Sequence, residues 1–338
     1  QLAMEQTVAR GEFPGPRLVT TTPTIDGVGS SGRTDLPGGV PMTSPDQAKG
    51  LVQGYAKRSY QQIRVYALLT KENLVALGQA SAAAGLRLVG KCPDRVTFEE
   101  AIEAGQTCID QMHTVARGHL RSGFEEPEHW DRFGVDVLNL TAHHLDFDSI
   151  RILAQQLATS QTWNTPTLVW HDHISREPSE NMANPMLKYM PRSAIPAWEA
   201  AFGRFAARSG SDIAVWRKAK QAQARTLPQV VAVLHEEGAP LMTGTDSPGP
   251  FTIHGFALIE ELEKFVEIGF RPYEALRCST TEPARFLAQS DTWGTIAVGK
   301  RADLIMTRAN PLQDIHALRE IEAVFVNGYY LTRKDLDM

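Results

Sequence analysis

The sequence predicts an α/β fold: a TIM-like (β/α) barrel of parallel strands with a small β element at the C-terminal end. Three observations carry this expectation. Short apolar or β-branched runs alternate with helix-type segments along most of the chain, the pattern of a parallel sheet covered by helices. A length of 338 residues suits one large barrel with an appendage. The buried-type run Ala239–Met242 ends in the small-residue turn Thr243-Gly244-Thr245-Asp246-Ser247-Pro248, which sets a carboxylate at a strand end. Barrel enzymes keep their catalytic groups at that position. The plain alternative is that Asp246 only caps the turn.

Taken in order, residues Leu2–Arg10 read as a helix ending at Gly11, and Arg17–Thr22 as a strand by its β-branched content. Thr24–Pro45, rich in Gly, Ser and Pro, reads as a loop, and Pro45–Arg58 as a helix. The strand Gln62–Tyr66 precedes a helix over Thr70–Gly85, with Thr70 as N-cap and Gly85 as terminator. Leu86–Gly90 is the next strand, with Lys91-Cys92-Pro93 at its exit. Thr97 opens a helix with Glu99 and Glu100 in its first turn, where the helix dipole favours anions. Cys108–Gln111 is a strand carrying Met112-His113 at its end, and Gly118–Val137 is a polar excursion. A helix over Asp148–Thr159 and a strand over Thr165–Trp170 follow. The long insertion His171–Gly210, a candidate lid, precedes a helix running to Glu237. Helices at Phe256–Ile268, Pro272–Ser279 and Glu282–Ala288 lead to closing strands at Gly294–Ile296, Ala302–Met306 and Ala323–Tyr330.

Composition bounds the function classes. Hydrophobic residues at 42% and charged residues at 22% are ordinary for a globular protein. A net charge of -5 and a pI near 6.1 argue against nucleic acid or an anionic membrane as partner. Cys92, Cys108 and Cys278 form an odd set without zinc-type spacing. No apolar run is long enough to span a bilayer, so the expectation is a soluble, by default cytoplasmic, protein. The chain starts at Gln1 as if entered within a helix, which raises the expectation of an upstream segment.

Several stretches together resemble the amidohydrolase superfamily, in its imidazolonepropionase-like and Xaa-Pro-dipeptidase-like branch. The most specific is the tail Gly294-Thr295-Ile296-Ala297-Val298-Gly299-Lys300-Arg301-Ala302-Asp303-Leu304-Ile305, continued by Ala309-Asn310-Pro311-Leu312 and Val324-Phe325-Val326-Asn327-Gly328. Leu241–Asp246, Glu260-Glu261-Leu262, Thr280–Leu287, Gly11–Arg17, Ile63–Tyr66 and Ala104–Gln111 extend it over nearly the whole chain. The resemblance implies a barrel over residues 1–290, incomplete at its N-terminus, and a β-sandwich portion over 291–338. It also implies one or two divalent metals. Their ligands would be a His-x-His on the first strand, a carboxylated lysine on the fourth, histidines on the fifth and sixth, and an aspartate on the eighth.

Asp246 matches the aspartate, and every other position departs. Arg17–Thr22 corresponds to the third strand, so the His-x-His is absent; Arg64 stands for the lysine, Lys91 for the fifth-strand histidine and Gln111 for the sixth-strand one. A metal ligand needs a lone pair, which a guanidinium lacks, and an ammonium at neutral pH is a competing cation. The binuclear centre is therefore expected to be gone, with no cofactor; a single zinc-type metal held by Asp246, His113 and a further histidine is the alternative. Arg64 and Lys91 are expected to turn toward Asp246, to replace the metal's charge and to polarise a carbonyl or phosphoryl oxygen. Lys91 is also a candidate base or nucleophile. His113, two residues beyond Gln111, is the candidate acid or base on the same strand face.

Asp246, Lys91, Arg64 and His113 are thus the candidate catalytic residues, and Tyr66, Gln111, His254 and Trp170 the candidate substrate-binding residues. The His143-His144 and His171-x-His173 pairs lack a third ligand of fixed position, and hydrogen-bonded histidines account for them equally. Trp163, Trp170 and Trp198 are a candidate apolar wall, and Cys92 beside Lys91 a candidate reactive thiol, each weighed against plain core packing.

The resulting expectation is a hydrolase of an amide, ester or related activated bond, acting without the binuclear metal. Its rivals are a catalytically inactive relative that binds a small molecule or partner, and a mononuclear metal hydrolase. A barrel without its first two strands exposes unpaired edges, so a homo-oligomer or domain-swapped dimer covering the gap is expected.

Overall fold

A computed structural model describes residues 2–12, 15–29, 34, 38–124, 143–208, 210, 212–326 and 328–336. Six parallel strands form the central sheet: β1 (Ile25–Asp26), β2 (Val40–Pro41), β3 (Gln62–Val65), β4 (Arg87–Lys91), β5 (Gln106–Asp110) and β6 (Trp163–Thr165), in the order β2-β1-β3-β4-β5-β6. The run that ends at Asp246 continues this sheet, because Asn164 N–H donates to Pro240 O and Met242 N–H to Asn164 O, both at 2.9 Å. Thr21 bridges Gln62 on the other side of the sheet, so the chain before β1 runs along β3.

The expected strand at Arg17–Thr22 is thus reduced to that bridge, and two strands of two residues each, β1 and β2, form inside the stretch read as loop. The Gly, Ser and Pro content there masked strands only two residues long. Likewise Gly294–Ile296 is irregular rather than a strand.

Among the described residues, five helices precede the sheet or connect its strands. They are α1 (Leu2–Ala9), α2 (Gln47–Ala56), α3 (Lys71–Ala83), α4 (Phe98–Glu103) and α5 (Phe147–Ser160). Thr70 caps α3 by accepting from Asn73 N–H at 3.3 Å, and Thr97 with Glu100 makes a full capping box on α4. Asp146 caps α5 through Asp148 and Ser149 N–H. One apolar cluster fills the space between sheet and helices, with Ile25, Ile63, Leu74, Leu77, Leu88, Ile109, Leu153 and Val230 inaccessible or nearly so.

After β6 the chain departs from expectation. The strand predicted through Trp170 stops at Thr165. Thr167 takes a left-handed φ of 53°, and α6 (Leu168–Ser175) begins. Its first N–H groups, Leu168 and Val169, are held by the carboxyl oxygens of Glu261 at 3.0 and 2.7 Å. A helix end satisfied in this way is stable even though Leu-Val-Trp reads as strand.

The long insertion is helical as well: α7 (Pro178–Asn181), a 3-10 turn (Pro185–Tyr189) and α8 (Ala194–Arg208), leading to α9 (Ile213–Glu236). Trp170, Ile174, Trp198, Phe202, Trp216 and Phe251 make its separate core. Helices α10 (Phe256–Glu267), α11 (Pro272–Ser279) and α12 (Thr281–Phe286) complete the main body. A three-stranded antiparallel sheet of β7 (Leu304–Thr307), β8 (Ile321–Val326) and β9 (Tyr329–Thr332) follows, with α13 (Arg333–Leu336) behind it. Most of the polar excursion Gly118–Val137 lies outside the described residues. Among the described residues no helix is long and apolar enough to cross a membrane.

Candidate functional site

The inward face of the parallel sheet and the turns at its strand ends enclose a cavity of about 250 Å³. By strand alternation Gln62 and Arg64 on β3, Val89 on β4, and Cys108 and Asp110 on β5 share this face. The turns add Gln111, Thr167, Thr245 and Asp246. Three of these four carry left-handed backbone without being glycine: Gln111 at φ 64°, Thr167 at 53° and Asp246 at 52°. Each such conformation costs on the order of 1–3 kcal/mol, and such residues cluster at functional sites.

Asp246 and Gln111 meet directly, the Gln111 amide Nε2 donating to Asp246 Oδ2. Arg64 lines the same cavity, but it does not pair with Asp246 as expected. Its backbone N–H donates to Thr22 Oγ1 at 3.0 Å, its Nε is buried without an acceptor, and no ion pair reaches it among the described residues. Asp110, which sequence reading passed over, is the cavity's second carboxylate, accepting from Thr165 Oγ1 at 2.8 Å. Its signal was available: it stands two residues beyond Cys108 on an inward-facing strand.

Lys91 is not among the residues lining this cavity. The pleat of β4 is interrupted at Gly90, whose φ of 125° and close approach to Val65 (a Cβ would lie 2.3 Å from Val65 O) fit only glycine. Lys91 then packs against Tyr66, with Nζ 3.3 Å from the phenol oxygen and 4.7 Å from the ring centroid. Tyr66 is buried in this contact.

His113 is also placed apart from the cavity wall. Extended backbone would have set it on the face of Gln111, but left-handed φ at Gln111 and Met112 (50°) turns the chain aside. His113 stacks on Trp170 at 5.5 Å and meets His171 edge-on at 5.0 Å. Trp170 sits on α6 rather than on a strand, and Lys220 of α9 lies 5.8 Å above its ring. His254 is exposed ahead of α10 and is likewise not among the lining residues.

His171 and His173 leave α6 in different directions, since two residues on a helix turn through about 200°. His171 Nε2 faces Gln111 O at 2.9 Å, and His173 Nε2 faces Glu260 at 3.0 Å. Burial, reinforced by the charges of Lys220 and Lys91, lowers the His171 pKa to about 3, so the ring is neutral.

The cysteines are buried and their thiols are pushed up by desolvation, Cys278 to about 12, with Cys92 and Cys108 also well above the ordinary thiol range. The reactive-thiol reading of Cys92 is thereby corrected: Lys91 turns to Tyr66, and burial dominates. The tryptophan wall also dissolves. Trp170 and Trp198 belong to the insertion core, whereas Trp163 packs on Phe286.

A divalent metal does not fit the donors at hand. Arg64 offers no lone pair, and the Gln111 amide directs N–H rather than oxygen at Asp246. Among the described residues no group of three or more His, Cys, Asp or Glu is placed to hold an ion.

The amidohydrolase family model matches residues 204–331. The fold is similar to that of a Xaa-Pro dipeptidase with bound methionine in its active site, at TM-score 0.67 and 17% identity, over 98% of this chain and 72% of that one. It is similar to bottromycin amidohydrolase at TM-score 0.73 and 22% identity, over 99% and 69%. Ochratoxinase from A. niger matches at TM-score 0.62 and 14% identity, over 96% and 68%. No curated protein matches the sequence.

Proposed function

We propose that this chain, which matches the amidohydrolase family model over residues 204–331 and shares the fold of solved amidohydrolases, is a hydrolase of an amide or related activated bond, with Asp246 and Arg64 as its reacting pair. One observation carries the reading: a carboxylate and a guanidinium that has no ion pair among the described residues line the same small cavity at the strand ends. The parallel sheet is read as an arc of the superfamily's TIM-like barrel.

Water adding to the substrate carbonyl gives its proton to Asp246, and the oxygen that becomes anionic is received by Arg64. Collapse of the tetrahedral species expels the amine, which takes the proton back from Asp246. Gln111 keeps Asp246 aimed through its amide. No step passes through a metal. Neighbours in fold named as a Xaa-Pro dipeptidase and a bottromycin amidohydrolase suggest amide substrates for the first panel.

The test is turnover of an amide, ester and lactone panel by protein dialysed against chelator. Asp246→Asn is expected to reduce kcat by about 10²- to 10⁴-fold. Equal turnover by wild type and Asp246→Asn, or activity that disappears with chelation and returns with zinc, sinks the reading. Complete inactivity across the panel favours the binding-protein alternative.

A further inference from the structure

We propose that His171 is the positioning residue of this site, acting on Asp246 through the Gln111 peptide. This rests on the reading of Asp246 as the catalytic carboxylate.

The geometry forms one chain of contacts. His171 Nε2 is 2.9 Å from Gln111 O, and Gln111 Nε2 donates to Asp246 Oδ2. A carbonyl oxygen can only accept, so the His171 proton resides on Nε2. Gln111 is the residue that most needs holding. Its left-handed φ, and that of Met112, would relax in an unsupported turn, and relaxation would carry the side-chain amide away from Asp246.

Its other supports are Gln111 N–H to Thr165 O at 2.9 Å and the half-buried His113, whose Nδ1 lies 3.3 Å from the same carbonyl. His171 makes the shorter of the two imidazole contacts and is 1% exposed. The ring is itself carried by α6, whose first N–H groups are anchored on Glu261. Burial and the nearby lysines keep the ring neutral, so it remains a donor at one nitrogen across the working pH range. His171 therefore acts by aiming groups and not by exchanging protons.

Three substitutions separate this from a packing role. His171→Gln places an amide N–H near the position of Nε2, His171→Asn is polar but too short to reach, and His171→Phe fills the space without a donor. Phe and Asn are expected to lower kcat by about 10- to 100-fold with KM and the shape of the pH profile retained, and Gln to restore most of it. In a Gln111→Leu background, His171→Phe is expected to add no further loss.

Crystal structures of the variants give a readout independent of turnover. The Gln111–Asp246 hydrogen bond and the left-handed Gln111 should be lost in Phe and Asn and kept in Gln. If the wild type turns over nothing, the hydrolase reading fails and these structures alone decide the inference. Retention of that geometry in His171→Phe, or equal kcat losses for Gln and Phe, overturns it.

Discussion

Arg64 brings a guanidinium into the cavity wall with Nε buried and no ion pair among the described residues, while its strand neighbours Ile63 and Val65 are fully buried in the apolar core. A partly desolvated cation without a counter-ion contributes little to folding, and apolar replacement of such groups is often neutral or stabilising. Arg64→Met is therefore expected to leave the melting temperature unchanged or raise it, while kcat falls by about 10²- to 10³-fold, the cost of removing one oxyanion donor. Arg64→Lys, which keeps charge but not the planar fork, should fall between the two. A melting temperature that drops while kcat holds would show that Arg64 is structural. That Arg64 faces inward was legible from strand alternation together with the family motif. That it stands apart from Asp246 was not, because separation across a cavity depends on how strand ends turn, and Gln111 contacts Asp246 instead.

At the level of elements, the sequence reading succeeds where local chemistry decides and fails where a distant residue does. The cap of α3 at Thr70 and the capping box of α4 at Thr97 lie within four residues of the helices they start. The switch from β6 to α6 depends on Glu261, more than ninety residues away, so Leu168–Trp170 read as strand. Burial pushes the Glu261 carboxyl up to about 8 against an ordinary 4.5, the backbone N–H groups of Val169 and Leu168 offsetting only part of the desolvation. Between those two values the folded protein holds a proton that the unfolded chain has released. The contribution to stability is thus complete below about 4.5 and is lost as pH rises through about 8. The effect is on the order of a few kcal/mol. Melting curves from pH 5 to 9 should show the difference between wild type and Glu261→Gln moving in favour of Gln as pH rises; parallel curves would contradict this. Gly90 makes a second test on β4. Gly90→Ala forces a side chain into positive φ and onto Val65 O, which should destabilise the protein by about 3 kcal/mol or more, read as a lowered urea midpoint.

Across the whole molecule, the C-terminal antiparallel sheet has to be held to the main body, and the contacts that do so are charged as well as apolar. Arg17, ahead of the parallel sheet, pairs with Asp303, just before β7. The 3-10 turn Ile315–Arg319 packs on α10, with Ile315 and Leu318 buried. There Arg319 grips Glu263 with two N–H groups, Nε to Oε1 at 2.6 Å and Nη2 to Oε2. Sequence reading recognised this tail by motif but found no fastening, because Glu263 and Arg319 stand in no shared pattern. The pair is asymmetric: the Glu263 side chain is 9% exposed and that of Arg319 is 46% exposed. Removing Glu263 leaves a guanidinium that water can still reach, so Glu263→Ala should cost about 1 kcal/mol. Removing Arg319 strands a buried carboxylate for which, among the described residues, the other basic side chain within reach is His316, 3.9 Å away, so Arg319→Ala should cost more, about 2–3 kcal/mol. The Glu263→Leu/Arg319→Met double variant, which leaves no buried charge, should recover most of the loss. Thermal melts of the three variants check this order. A larger loss for Glu263→Ala than for Arg319→Ala would mean that the turn is held by its apolar residues and that the ion pair is incidental.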